Sequence, residues 1–299
     1  MHRSTPLVRS DTLSSRHGAD VWLKLDNLQP SGSFKLRGIG LSARRAVERG
    51  ARSLVSSSGG NAGLAAAWAG RALGVPVRVV VPVTTAATRR EMLAALGAEV
   101  TIHGAAWDDA HAHATELAAT EGGHVLHPFD HPDVWEGHAT VVAESAAELR
   151  DPPGAVVVAV GGGGLLCGVV QGMHDAGWRD APVVAAETEG AASYAAALAA
   201  GHPVTLPAIT SLAITLGARR VCDRAVAWAS DHDIRSVVCT DREAVAACRR
   251  FADEHRMLVE PACGAALAAL DHLGDVGSVL VVVCGGAGVT LAELEAWPR

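Results

Sequence analysis

The chain has 299 residues, 49% of them hydrophobic and 19% charged, with a net charge of −7. That composition folds rather than staying disordered, and an acidic balance with no basic run excludes nucleic acid as a partner. No apolar stretch reaches membrane-spanning length unbroken, the N-terminus has no apolar leader, and the six cysteines form no CxxC pair; a soluble, cytoplasmic protein with reduced thiols is expected.

Along the chain, short β-branched runs alternate with longer Ala/Leu-rich helical patterns, the mark of an α/β fold with largely parallel sheets. The stretch QPSGSFKLRGIG (Gln29 to Gly40) sets Lys35 between an aromatic and an aliphatic residue behind a Ser-Gly-Ser turn. Ser33 is the expected N-cap, which puts Lys35 in a helix's first turn. Gly50, Gly74 and Gly97 follow helical patterns where a left-handed C′ residue is expected. Near-continuous apolar strands are predicted at Val77–Pro82, Ala155–Val160, Pro182–Glu187 and Ser278–Cys284.

The segment HPFDHPDVWEGHAT (His127 to Thr140), rich in Pro, Asp and aromatics, reads as a crossing between domains. A smaller domain over residues 28–131 is therefore expected inside a larger one made of residues 1–27 and 132–299. HAHATE (His111 to Glu116) reads as a solvated helix surface rather than a metal site, since imidazoles two apart share no helix face. Trp135 and Glu136 read as structural, and Pro261 as a helix start.

Three glycine loops could serve a ligand. AVGGGGLLCGVV (Ala159 to Val170) follows a strand and opens a helix, so backbone N–H groups and the helix dipole suit a phosphate. A dinucleotide fold needs G-x-G-x-x-G, and the spacing fails here at Leu166 or Cys167. Glu187 nevertheless ends the next strand, where a ribose-binding acid would lie, and a nucleotide-binding oxidoreductase stays open as an alternative. SSSGGNAGL (Ser56 to Leu64) offers hydroxyls, an amide and a helix start to a carboxylate. VVVCGGAGV (Val281 to Val289) is the third strand–glycine–helix junction, with Cys284 at the strand end.

A lysine beside an aromatic, a phosphate cradle, an anion loop and a strand-end thiol can share one ligand, pyridoxal 5′-phosphate, whose aldehyde a lysine holds as a Schiff base. QPSGSFKLRGIG, SSSGGNAGLAAAW, HPFDHPDVWEGHA, VGGGGLLCGVVQG, LVEPACGAALAAL and VVVCGGAGV span nearly the whole chain. In that order they resemble the serine/threonine dehydratases of pyridoxal-phosphate fold type II, the tryptophan-synthase β-like group, and above all the short animal-liver-type L-serine dehydratases.

The resemblance implies two open twisted, mostly parallel sheets flanked by helices, with the smaller domain inserted in the larger. It implies that Lys35 is the Schiff-base and catalytic lysine, that Phe34 packs the cofactor ring and that Asn61 bonds the ring's 3′ oxygen. Ser58, Gly59, Asn61 and Ala62 form the substrate-carboxylate loop. Gly161, Gly162, Gly163, Gly164 and Leu165 hold the phosphate, and Cys284 stands beside the pyridine nitrogen. Glu187 becomes the acidic ligand of a monovalent cation, K⁺, with carbonyls near Gly161, Ala191, Leu216 and Ala218. A homodimer is implied, with a small amino acid as substrate.

The reaction implied is β-elimination of L-serine and L-threonine to pyruvate or 2-oxobutanoate plus ammonia, the leaving hydroxyl taking its proton from the cofactor phosphate. A neutral thiol at the pyridine nitrogen, where other enzymes place a carboxylate, favours prompt loss of the β-group. Gly59 disfavours racemisation, for which racemases of this fold use a serine at that position. Isoleucine feedback is not expected, because the chain ends soon after VVVCGGAGV. The alternatives are β-replacement, threonine synthase-like chemistry or a racemase.

Overall fold

A computed structural model describes residues 1–297; residues 298 and 299, which the expected large domain includes, lie outside the described residues. The strands are β1 (Leu7–Arg9), β2 (Asp20–Lys24), β3 (Leu54–Ser56), β4 (Val77–Val81), β5 (Glu99–Ile102), β6 (His124–Val125), β7 (Ala155–Ala159), β8 (Val183–Thr188), β9 (Ile234–Cys239) and β10 (Ser278–Val282). The described residues divide into a unit of Met1–Arg3 with Gln29–Gly137, and a unit of Ser4–Leu28 with the described residues from His138 on.

The smaller unit holds a four-stranded sheet in the order β5-β4-β3-β6, parallel throughout. The helix Trp107–Glu121 presents Ala110, Ala114 and Ala118 to Val55 and Val80 of this sheet. Those alanines recur every four residues, so they form one stripe, and their size lets the helix lie close. His111 follows the stripe by one residue and falls at its margin, which is why it is half-buried.

The larger unit holds a six-stranded sheet in the order β1-β2-β10-β7-β8-β9, parallel except for β1 against β2. β7 and β8 are buried along their whole length, as strands covered on both faces must be. The edge strand β9 carries exposed Arg235, Ser236 and Val238. The two sheets flanked by helices are the architecture expected of a mostly parallel α/β fold.

Gly50, Gly74 and Gly97 take positive φ after their helices, and Pro261 opens the helix Pro261–Ala268. Ser33 does not cap its helix. Gly32 turns at φ +77°, and Phe34 is already helical and stands at the cap with no side-chain bond. Ser33 Oγ is buried and has no hydrogen-bond partner. The Cys284 loop opens no helix directly: Val283 to Thr290 intervene before Leu291–Ala296, which Thr290 caps. All six cysteines are buried. Among the described residues no helix is long and apolar enough to cross a membrane.

Candidate active site

In the smaller unit the C-terminal ends of three adjacent parallel strands, β6, β3 and β4, lead to the residues of interest. Parallel packing puts such ends on one edge of a sheet, where ligands of α/β proteins bind. β3 runs into Ser57–Gly60 and then the helix Asn61–Leu73. Gly60 N donates to Ser58 Oγ at 3.3 Å, closing the turn. Amides of a helix's first turn lack intrahelical acceptors in general, so this start suits a carboxylate. Gly63 allows the turn to fold back, since a β-carbon there would stand 1.8 Å from the Ser58 carbonyl oxygen.

Lys35 opens the helix Lys35–Glu48. Its Nζ donates to the Pro128 carbonyl at 2.6 Å and lies 5.1 Å from the centre of the Phe34 ring. The chain has only two lysines. The other, Lys24, is fully buried in the larger unit, where its Nζ meets Glu144 at 2.9 Å and donates to the Thr5 carbonyl at 2.7 Å.

The Pro128 carbonyl belongs to the segment read as a crossing between domains. There His127 Nδ1 accepts Asp130 N at 2.7 Å and Phe129 N at 3.3 Å, and Trp135 Nε1 donates to Phe129 O at 2.8 Å. Burial, then the charges of His111 and Lys35, push the His127 imidazole down to about 4, so it is neutral at physiological pH. The helix surface at HAHATE is solvated only in part. His111 shares a 2.9 Å hydrogen bond with Ser57 Oγ, stacks on Trp107 and stands edge-on to His127. His113 stacks on His103. Among the described residues no cluster of His, Cys, Asp and Glu forms a metal site.

In the larger unit, Gly161–Gly164 and Cys284 follow the C-terminal ends of β7 and β10, and Glu187 lies in the last two residues of β8; the three strands are neighbours in the sheet. Gly163 is left-handed (φ +88°) and stands at the cap of the helix Gly164–Asp175 with no side-chain bond. A β-carbon on it would lie 2.7 Å from Ala225 Cβ, and one on Gly161 3.1 Å from Leu216 Cα. Glycine is thus demanded from behind, and residues 161–164 offer only backbone donors. Cys222 N donates to Gly162 O at 3.1 Å and fixes the turn.

Glu187 is buried, and its two carboxylate oxygens accept Tyr194 N and Ala195 N, each at 2.8 Å. Burial pushes it up to about 7 against those two bonds. Ser193 Oγ donates to Gly161 O at 3.5 Å, and Leu216 O accepts Ala218 N at 2.7 Å. Ala191, which is buried, precedes the helix Ser193–Ala200. Cys284 is held well above the usual thiol range, first by its hydrogen bond with Cys263 and then by burial, so it stays protonated.

Residues 1–285 match the family model described as "Pyridoxal-phosphate dependent enzyme". The chain belongs to the pyridoxal-phosphate dependent enzyme family. It is 50% identical to the mouse (Mus musculus) "Serine dehydratase-like" protein over 306 residues, covering 98% of this chain and 93% of that one. To the human (Homo sapiens) "L-serine dehydratase/L-threonine deaminase" it is 48% identical over 309 residues, covering 99% and 94%. The solved structure of a fungal L-serine ammonia-lyase from Rhizomucor miehei superposes with a TM-score of 0.93 at 35% identity, covering 98% of this chain and 97% of that one.

The residues present fit this family's cofactor. Pyridoxal phosphate needs an amine, an anion cradle and a partner for its pyridine nitrogen. Lys35 is an amine bonded to a neutral carbonyl, the glycine turn is a side-chain-free row of amides at a twelve-residue helix, and Cys284 is an uncharged thiol. Sequence reasoning missed His127, Pro128 and His111. The signal available was HPFD itself, whose histidine precedes a proline that has only a carbonyl to offer.

Proposed function

We propose that the chain is an L-serine and L-threonine ammonia-lyase. It converts these amino acids to pyruvate or 2-oxobutanoate and ammonia by β-elimination, with pyridoxal 5′-phosphate held at Lys35. The observation that carries the reading is the state of the two lysines: Lys24 is fully buried and consumed by Glu144 and Thr5, whereas Lys35 opens a helix with its amine on a neutral carbonyl. The likeness to the human dehydratase along nearly the whole of both chains supports the same conclusion.

When bound, pyridoxal phosphate supplies an electron sink that stabilises negative charge at the substrate α-carbon. Gly161–Leu165 would hold the cofactor's phosphate through backbone amides, Asn61 would bond its 3′ oxygen and Phe34 would pack its ring. Ser58, Asn61 and Ala62 hold the substrate carboxylate. Lys35 would hold the cofactor's aldehyde, and its Nζ would accept the substrate's α-proton as general base. Cys284 would offer the cofactor's pyridine nitrogen an uncharged thiol, which would favour loss of the β-hydroxyl. Gly59 has no side chain to protonate the opposite face, so elimination prevails over racemisation.

A K⁺ ion beside Glu187, with the carbonyls of Gly161, Ala191, Leu216 and Ala218, belongs to the same proposal. So do a homodimer and a cytoplasmic location, the latter suited to six buried thiols.

The test is direct. The loaded protein is reduced with borohydride and its peptides mapped, and L-serine and L-threonine are assayed side by side with no second nucleophile. Label on Lys35 with 2-oxo acid and ammonia released is the expected result. A colourless protein, an unlabelled Lys35 or a demand for a second nucleophile overturns the reading.

A further inference from the structure

We infer that His127 is a positioning residue for the Lys35 amine: its Nδ1 gathers the two amides that follow Pro128 into a closed turn, and that turn aims the Pro128 carbonyl at Lys35 Nζ. This rests on the reading of Lys35 above and adds a role for a segment that reading leaves unused.

The turn is held on several sides. His127 precedes a proline, which confines its backbone to extended conformations. Its Nδ1 accepts Asp130 N at 2.7 Å and Phe129 N at 3.3 Å, so that nitrogen carries no proton. Trp135 Nε1 ties down the next carbonyl, that of Phe129, at 2.8 Å. The His127 ring stands edge-on to Phe129 with centroids 4.8 Å apart and to His111 at 5.8 Å, and His111 is itself fixed by Ser57 Oγ. Pro128 is buried between two pinned peptide units, and its carbonyl oxygen lies 2.6 Å from Lys35 Nζ.

A neutral acceptor is the useful one here. A carboxylate in place of the carbonyl would stabilise the ammonium and raise its pKa, holding back the proton the amine must lose to attack an aldehyde. A carbonyl fixes one N–H direction, and so the direction of the remaining valences, without adding a charge. Orientation of this kind is worth rate only while the acceptor stays still, and His127 is what stills it.

Two substitutions separate the acceptor from the ring. His127→Asn keeps an acceptor attached to Cγ and loses the ring; His127→Phe keeps a ring of similar size and loses the acceptor. The full-length chain, freed of cofactor, is mixed with pyridoxal phosphate. Loading at Lys35 is followed by borohydride trapping and peptide mapping, and melting temperatures are recorded. His127→Asn is expected to load within about threefold of wild type, and His127→Phe about tenfold slower, the equivalent of one neutral hydrogen bond.

A wild-type rate in His127→Phe, or equal slowing in both variants, overturns the inference, because packing and not the acceptor would then matter. If His127→Phe does not fold, Trp135→Phe opens the same turn from its far side; about tenfold slower loading supports the inference and an unchanged rate overturns it. An unlabelled Lys35 in wild type overturns the reading of Lys35 itself, and this inference with it, which is a different result from labelled wild type with indifferent variants.

Discussion

A β-carbon placed on Gly59 would stand 2.8 Å from Thr85 Cγ2 and 3.3 Å from both Thr85 Oγ1 and Val81 Cγ1. The two residues leave neighbouring strands, β3 and β4, and Thr85 fills the space in which a side chain at 59 would begin. Gly59→Ala is therefore expected to destabilise the chain by about 1–2 kcal/mol through overpacking, and Thr85→Ala to restore part of that loss. Urea unfolding of both single variants and the double variant should give a coupling of about 1 kcal/mol, and strict additivity would show that Thr85 yields freely. For the same reason Gly59→Ser should form D-serine measurably only when Thr85 is also alanine.

Glu187 makes stability depend on pH. Its carboxyl is raised from 4.5 to about 7, so between those values the folded chain holds a proton the unfolded chain has lost. Stability should then fall as pH rises through that window, by up to about 3 kcal/mol, and Glu187→Gln should flatten the slope. A cation at the carboxylate would pull its pKa back down. The slope in K⁺ should accordingly be shallower than in choline, and equal slopes would remove K⁺ from this position.

Gly163→Ala tests the phosphate turn. The residue is left-handed, and an added methyl would meet Ala225 Cβ at 2.7 Å and Val221 Cγ2 at 2.8 Å. Strain of about 1–3 kcal/mol in the cradle should raise the dissociation constant of pyridoxal phosphate by about tenfold or more. Titration of the cofactor-free chain by visible absorbance reads this, and unchanged affinity would take the phosphate away from this turn.

Lys24→Met should cost stability without touching chemistry. Removing one partner leaves Glu144, 16% exposed, without the amine 2.9 Å away, at a cost of about 3 kcal/mol or more. A lowered urea midpoint with full borohydride label on Lys35 is expected, and loss of that label would reopen the assignment of the two lysines.

The buried strands were legible because their signal is local. Ala155–Ala159 is an unbroken apolar run and β8 opens with another, Val183 to Ala186, and their companions in one sheet follow from alternation with helices. The glycine turn after Ala159 was legible too, since strand, glycines and helix are contiguous. The histidine network was not. Ser57 and His111 are 54 residues apart, and Lys35 and Pro128 are 93 apart. A spacing rule for one helix face says nothing of what a residue at its margin meets on a neighbouring strand. Ser33 misled for a related reason: the turn at Gly32 moved the helix start one residue on, so a good capping side chain ended up buried instead.

The scarcity of lysine has a consequence of its own. Apart from Lys24 and Lys35, all of the 25 Lys and Arg side chains are arginine, whose guanidinium stays protonated and is a poor nucleophile toward aldehydes at neutral pH. Carbonyl compounds in excess, whether free vitamin or reducing sugar, find scarcely any side-chain amine on which to leave an adventitious adduct. A whole-protein mass spectrum of reduced holoenzyme should therefore collapse to a single added increment per chain.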